Sequence, residues 1–359
     1  MIEFFIIIFG LVSIYSIFSS KIINSFLFWA PILLLTLLDG LRWNMGTDWD
    51  NYLEAFNLAN EQIPVGFEIG FATYMKLFRD LTDNYSIFLL TTTAFFNIGV
   101  FYQIFKLTNR NYLSIYFLMG TLPWYSGALR QMMALVFFLL VLKACLNRNI
   151  LNYFLFLIIA ALFHTTTLFF FFIYFIYGFP IILFAIFYIL FLLLIYIFRS
   201  QLLLLAKFSE QYGNGKDYSD YLGGSISDGQ GSPVFGFLRK IYTYFILIYG
   251  AKNIIKNTIN TIYIKQIQFI SFLSLFSIIT FFIGTYFISG FSSRVDIYVG
   301  ILCTSILIGL IDNSIIKKTH RFLFFLFITT LLIFNYIRLD HMYLFHPYSS
   351  IFYNKDIIR

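Results

Sequence analysis

Apolar stretches of about 20 residues recur along the chain, separated by shorter polar segments. About 20 consecutive apolar residues suffice to cross the hydrocarbon core of a bilayer as a helix. The predicted helices cover residues 3–20, 22–41, 85–105, 111–126, 129–146, 150–164, 166–179, 181–198, 240–252, 267–289, 297–312 and 321–337. The pattern therefore predicts an all-α polytopic membrane protein, a single integral membrane domain over residues 1–359 with about twelve transmembrane helices.

The composition supports a membrane protein and excludes several other classes. Hydrophobic residues make up 60% and charged residues 11% of the chain, and the mean hydropathy is +0.83. A soluble protein has about a quarter of its residues charged. The net charge of +7 does not indicate a nucleic-acid partner, because basic residues mark cytoplasmic loops. Neither cysteine spacing nor Cys/His spacing indicates a disulfide framework, a metal site or a cofactor.

The loops alternate in charge, which predicts their side of the membrane. One set is basic and contains Lys21, Lys106, Arg110, Lys143, Arg148, Lys252, Lys256, Lys265, Lys317, Lys318 and Arg321. The other set is acidic and contains Asp48, Asp50, Glu54, Glu61, Glu68, Asp80, Asp83, Glu210, Asp217, Asp220 and Asp228. By the positive-inside rule the basic set is cytoplasmic. Both termini are then expected outside, with two larger outer loops at residues 42–84 and 199–239.

Four places combine apolar surroundings with ionisable side chains, and all fall on the predicted outer side. Arg42 begins the segment RWNMGTDWDNY, which also contains Asp48 and Asp50. Arg130 begins the helix after SGAL, His164 interrupts IIAALFHTTTLFFFF, and Arg294 lies in SGFSSRVDIYVG. Ionisable groups at membrane depth are costly and mark functional sites. We therefore expect these groups to face a common site.

Each of these residues also has a structural explanation. Arg42 and Arg294 could extend to lipid phosphates, and His164 could be a neutral imidazole satisfied by a neighbouring helix. Asp48 and Asp50 could cap a turn, and the acidic residues from Glu54 to Glu68 are expected to form a solvated loop face.

Together, the three arginines, the histidine and the two aspartates suit one kind of chemistry. Arginine stays charged and binds phosphate oxygens in a fork, so several arginines fit a pyrophosphate. Histidine or aspartate can accept the proton of an attacking sugar hydroxyl. The arginines can stabilise the charge that develops on a lipid-linked diphosphate leaving group without a metal.

The segment GLRWNMGTDWDNY resembles the R-x-x-x-G-T-D-x-x-x-Y pattern near the start of EpsG-like proteins, a branch of the Wzy-type polymerases of bacterial surface polysaccharide. The segments LRQMMA, ALFHTT and SSRVDIY agree with that family in order and spacing, and the resemblance covers roughly residues 20 to 310. The tryptophans Trp43 and Trp49 are interpreted as ordinary variation.

The resemblance implies a GT-C-like fold and an activity. Such proteins join undecaprenyl-pyrophosphate-linked oligosaccharide repeat units of O-antigen, capsule or exopolysaccharide at the outer face of the bacterial inner membrane. The related O-antigen ligases use a metal-independent, inverting mechanism, so the resemblance implies the same mechanism here, without a cofactor and with a separate protein expected to regulate chain length.

The resemblance also assigns roles to residues. His164, Asp48 and Arg130 would be catalytic, with His164 or Asp48 as the base and Arg130 on the leaving pyrophosphate. Arg42, Arg294, Asp50, Tyr52 and Gln131 would bind the substrate. The sequence leaves open which of His164 and Asp48 is the base.

Two other classes compete with the polymerase. A flippase for lipid-linked oligosaccharides would also need arginines for pyrophosphate, but its charges should follow a path through both leaflets. A membrane acyltransferase would need a polar path toward the cytoplasm. The intramembrane charges on one predicted side favour the polymerase.

Overall fold

In the computed structural model, the described residues are helical over most of their length and contain no strand. They are residues 2–18, 25–46, 48–60, 62–125, 127–177, 247–252, 254–256, 261–286 and 294–339, with Leu190, Ile197, Lys240 and Tyr244 between them. The predicted helix 181–198 and the predicted outer loop 199–239 therefore lie almost entirely outside the described residues. The helix predicted at 240–252 is helical at each position that is described.

The longer helices agree with the hydropathy pattern to within about three residues, except that the helix Thr261–Tyr286 begins six residues before its predicted start. Numbered in chain order together with the short helices described below, they are α1 Ile2–Phe18, α2 Ser25–Gly40, α5 Tyr85–Leu107, α7 Leu129–Leu146, α8 Ile150–Phe163, α10 Thr261–Tyr286 and α12 Lys318–Leu339. The all-α fold class is confirmed for these ranges.

Three predicted helices contain irregular turns. The helix predicted at 111–126 consists of α6, Tyr112–Met119, and a 3₁₀ turn, Leu122–Tyr125. The helix predicted at 166–179 begins as a 3₁₀ helix, Thr165–Phe172, and continues as α9, Ile173–Ile176. The helix predicted at 297–312 begins as a π-helix, Ile297–Cys303, before α11, Thr304–Ser314.

The segment between α2 and α5, predicted as a loop, contains two short amphipathic helices. They are α3, Trp49–Leu58, and α4, Ile69–Leu81. The side chains of Trp49, Tyr52 and Phe56 recur at helical spacing and are buried, while the opposite face of α3 is polar. These helices are too short and too polar to match a membrane-spanning pattern, which is why the hydropathy of the sequence did not indicate them.

Within the described residues, three helices are long and apolar enough to cross a membrane: Tyr85–Leu107, Leu129–Leu146 and Arg294–Ser314. Shorter apolar helices accompany them, and α8 presents an outward stripe of Leu151, Leu155, Ile158 and Leu162. Such an exposed apolar stripe suits contact with lipid. The chain is therefore a membrane protein, while the total of about twelve transmembrane helices stays a prediction.

At the end of the bundle predicted to be cytoplasmic, a buried carboxylate joins three helices. Arg321 of α12 donates two hydrogen bonds to Asp312 of α11, at 3.1 and 2.6 Å. The Asn111 amide, just before α6, donates to the same carboxylate at 2.7 Å. Nearby, α11 approaches the end of α5 closely at Gly309, where an added Cβ would lie 2.6 Å from the Thr108 Cβ and 3.1 Å from the Ser114 Cβ of α6.

Replacing Asp312 tests this connection. In Asp312→Ala, the Arg321 guanidinium and the Asn111 amide lose their acceptor, which should lower the free energy of unfolding by about 2 kcal/mol, the contribution of hydrogen bonds to a charged group. Thermal unfolding of the detergent-purified protein, followed by tryptophan fluorescence, measures the loss. Asp80→Ala, which breaks the exposed pair with Lys76, is the matched control and should change stability by less than about 0.5 kcal/mol. Equal unfolding temperatures for the two variants would contradict the role of Asp312.

Candidate active site

The hairpin of α7 and α8 brings Arg130 and His164 to the same end of the bundle. Residues 147–149 connect the two antiparallel helices, and the Asn149 side chain caps α8 by accepting a hydrogen bond from Asn152 N at 3.0 Å. At 1.5 Å per residue, Arg130 lies about 24 Å from the end of α7 and His164 about 21 Å from the start of α8. The predicted co-location of these two residues therefore follows from the length of the hairpin.

A close contact between α4 and α8 places a third ionisable group at this end. An added Cβ at Gly70 would lie 2.7 Å from both the Cβ and the carbonyl oxygen of Leu162, so only glycine allows this approach. Glu68, immediately before α4, thereby reaches the break that follows α8. Its Oε1 accepts a hydrogen bond from the backbone N–H of Thr165 at 3.4 Å.

Arg130 and Glu68 form an ion pair across the two segments. Nη1 of Arg130 donates to Oε2 of Glu68 at 2.7 Å, and the side chains are 18% and 13% exposed. The guanidinium also lies over the Phe67 ring, 5.0 Å from its centroid. The expectation that Glu68 belongs to a solvated loop face is therefore wrong, although Glu54 on α3 is exposed as expected.

Tyr52 holds the other edge of the Arg130 guanidinium. Nε of Arg130 donates to the Tyr52 hydroxyl at 3.4 Å, and the Tyr52 ring packs against Phe67 and Phe71. Burial raises the pKa of the Tyr52 phenol, an effect that the charge of Arg130 partly opposes. The phenol thus remains protonated at neutral pH and keeps Arg130 in place as a neutral partner.

His164 lies between α8 and the 3₁₀ helix that follows, and it is 4% exposed. Its carbonyl accepts a hydrogen bond from the Thr167 hydroxyl at 2.9 Å, which fixes the backbone at the break. Burial would raise the pKa of Glu68, but Arg130 and His164 outweigh that effect and hold the pKa below its ordinary value of 4.5. Glu68 is thus a carboxylate at neutral pH, within electrostatic reach of both His164 and Arg130.

Gln131 and Arg294 connect this group to the C-terminal helices. The Gln131 amide donates to the backbone carbonyl of Arg294 at 2.7 Å, which joins the start of α7 to the start of the Arg294–Ser314 helix. One turn later, Tyr298 is fully buried against Phe138 and Phe170 and lies within electrostatic range of Glu68 and Arg294. Its hydroxyl makes no hydrogen bond to the part of the chain that the structure describes.

Arg42 lies in the protein interior, not at the lipid surface. Its side chain is 2% exposed, and it forms an ion pair with Asp39 near the end of α2. Its charge also acts on Tyr85 at the start of α5. This burial argues against the alternative in which Arg42 extends to lipid phosphates. The pairing of Asp39 with Arg42 was not predicted, because Asp39 lies at the end of an otherwise apolar helix, where a charged residue is ordinary.

The turn that contains Asp48 packs against the start of α7. Gly46 has a φ of +103°, and an added Cβ there would lie 3.3 Å from Gly127 Cα, so the turn requires glycine. Asp48 precedes α3 and its charge acts on Tyr52, whereas Asp50 is exposed in the first turn of α3. Thr47 lies outside the described residues.

The tryptophans of this segment have a structural role that the sequence did not indicate. The Trp43 and Trp49 rings meet edge to face with centroids 5.4 Å apart, and Trp49 meets Tyr85 in the same way at 5.1 Å. These contacts attach α3 and the preceding turn to the start of α5. The contacts give both residues a structural role, while their variation among relatives stays a prediction.

A second polar cluster, also missed from the sequence, lies beside the π-helix. Nζ of Lys240 donates to Asp296 Oδ1 and to the Ser277 hydroxyl, both at 2.8 Å. The sequence could have indicated this cluster, because Arg294 and Asp296 are two charged residues close together at the start of an apolar helix. Gly300 leaves the room that the Asp296 and Ser277 side chains occupy, and π-turns of this kind often occur at functional sites.

The structure thus brings Arg130, Tyr52 and His164 together with Glu68, and we call these four residues the Arg130 cluster. Gln131 and Arg294 adjoin it through the start of α7. Arg42, Asp48 and Asp50 belong to the neighbouring turn around α3. No group of three or more His, Cys, Asp or Glu side chains that could hold a metal ion occurs in the described ranges.

The comparisons with known proteins agree with the resemblance noted from the sequence. No curated protein and no solved structure matches the chain significantly. The model of the EpsG family matches residues 25–350, which include all residues of the Arg130 cluster. With nine-tenths of its length matched in this way, the chain belongs to the EpsG family.

Proposed function

We propose that the protein polymerises undecaprenyl-pyrophosphate-linked oligosaccharide repeat units by glycosyl transfer at the outer face of the bacterial inner membrane. Membership of the EpsG family supports a polysaccharide polymerase of the membrane. The observation that carries the proposal is the Arg130 cluster, in which a guanidinium, a carboxylate and a buried imidazole meet at one end of the bundle. The proposal includes about twelve transmembrane helices in a GT-C-like fold and a separate regulator of chain length.

Arg130 is suited to hold the donor pyrophosphate. It occupies the first turn of α7, where the helix dipole favours an anion. Two of its five N–H groups donate to Glu68 and Tyr52, and the other three have no acceptor among the described residues. In the proposed complex the guanidinium, Nη1 included, donates to phosphate oxygens, and Arg42 and Arg294 supply further positive charge. The charge on the leaving group is then matched without a metal ion.

His164 is the base that this arrangement favours. The acceptor hydroxyl attacks the anomeric carbon and gives its proton to the imidazole, while the bond between that carbon and the pyrophosphate oxygen breaks. Attack opposite the leaving group inverts the anomeric centre. The nearby Glu68 carboxylate stabilises the imidazolium that forms. Asp48 is a less favourable base, because its charge acts on Tyr52, which in turn contacts Arg130.

The other predicted site residues have supporting roles in this proposal. Tyr52 and Gln131 are buried and hold Arg130 and the Arg294 backbone. Asp50 is exposed at the start of α3 and is the group placed to bind a sugar hydroxyl.

Complementation of a deletion strain tests the function. We expect the deletion to leave single capped repeat units at the cell surface and the wild type to restore the polysaccharide ladder on a gel. Arg130→Ala should not restore it, because the leaving pyrophosphate loses its main charge partner. Lys76→Ala, an exposed lysine of α4, is the control at matched expression. If the deletion strain lacks even the single repeat unit, the block precedes polymerisation and the protein is a flippase.

The identity of the base is tested separately. His164→Ala should lower the initial rate of polymer formation in isolated membranes by about 100-fold or more, the effect of losing a general base. Asp48→Ala should lower it less than about tenfold, because Asp48 acts through Tyr52. Incorporation of radiolabelled repeat units measures both rates. The reverse order of the two effects would make Asp48 the base.

A further inference from the structure

Glu68 uses its two carboxylate oxygens on two different parts of the structure. Oε2 accepts from Arg130 Nη1 at 2.7 Å, and Oε1 accepts from Thr165 N at 3.4 Å, the residue after His164. Gly70, two residues further on, fixes α4 against the end of α8 at Leu162. The contacts with Thr165 and Leu162, which do not involve Arg130, also hold the carboxylate next to His164.

We propose that Glu68 is a positioning residue that links donor binding at Arg130 to proton acceptance at His164. This inference rests on the proposed function for the identity of the donor. Glu68 touches neither the reacting sugar nor the phosphate in this scheme, and it acts through Arg130 and His164.

The first half of the link is a competition for Arg130. The ion pair with Glu68 offsets the charge of Arg130 before any ligand binds. A pyrophosphate has stronger acceptors and more negative charge than one carboxylate, so it displaces Glu68 from Nη1. The pair thus weakens donor binding relative to an unpaired arginine.

The second half of the link is the use of the displaced carboxylate. Once Glu68 has left Arg130, its charge is no longer offset there and acts on His164. When the acceptor hydroxyl gives its proton to His164, the adjacent anion stabilises the imidazolium. The base is therefore strongest when the donor is bound, which limits proton transfer in the absence of a leaving group.

The charged and titratable groups around Glu68 are few among the described residues. Arg130 faces it from α7, His164 from the end of α8 and Tyr298 from the π-helix, and Tyr52 of α3 contacts the same guanidinium. The lowered pKa of Glu68 keeps it ionised above pH 4.5. A change in a rate profile between pH 5 and 8 therefore does not arise from titration of Glu68 itself.

The test uses Glu68→Gln in the full chain, reconstituted in nanodiscs. Removing the carboxylate frees Arg130, so undecaprenyl pyrophosphate should bind about three- to tenfold tighter than to wild type in a fluorescence titration. With lipid-linked repeat units extracted from the deletion strain, kcat should fall at least about tenfold and the acid limb of its pH profile should move to lower pH. Glu54→Gln, an exposed glutamate on α3, is the control and should match wild type in each measurement.

A structural role for Glu68 gives a different result. If Glu68→Gln weakens binding and lowers kcat together with an unchanged pH profile, the inference is overturned. Glu68→Asp, which keeps the charge, should restore part of kcat, and its failure to exceed Glu68→Gln would also count against the link. If the wild type forms no polymer, the proposed function fails, while the binding of undecaprenyl pyrophosphate still tests the competition for Arg130.

Discussion

A charge inside a membrane protein requires an opposite charge or several hydrogen bonds, because neither lipid nor an apolar core can solvate it. Arg42 pairs with Asp39, Arg130 with Glu68, Lys240 with Asp296 and Arg321 with Asp312. Three of these four pairs join segments that are distant in sequence or belong to different helices. These pairs therefore join helices that also pack through apolar contacts, and the pair of Arg130 and Glu68 lies within the Arg130 cluster.

Much of the fold follows from hydropathy, because the free energy of placing apolar residues in lipid dominates. The bounds of α7 and α8 could be predicted closely for this reason. The irregular turns could not be predicted, because the 3₁₀ helix after His164 and the π-helix after Asp296 are as apolar in composition as the neighbouring α-helices. Their hydrogen-bond register depends on neighbouring helices. Hydropathy did not predict α3 and α4, because both helices are short and only one face of each is apolar.

Some residues of the candidate site could be predicted from the sequence and one could not. Arg130 and His164 could be found because a charge or imidazole within an apolar run is visible in the sequence. Glu68 could not, because it lies in a predicted loop rich in acidic residues and its burial depends on the contact between Gly70 and Leu162, which are distant in the chain. Tertiary packing thus places Glu68, which the sequence suggests is solvated, inside the Arg130 cluster. The pairing of Glu68 with Arg130 thus depends on the close approach of α4 to α8, which the local sequence around Glu68 does not indicate.

The shortness of α8 would set the depth of the proposed active site in the membrane. Its 14 residues extend about 21 Å, whereas the hydrocarbon layer is about 30 Å thick. In the predicted orientation, a helix that begins at one face of that layer ends about 9 Å before the other face, which would place His164 at that level. Under the proposed function, a sugar that reaches the imidazole would leave bulk solvent and pass below the headgroups. A glycosyl donor held there would meet few water molecules, so transfer to another sugar would be favoured over loss by hydrolysis.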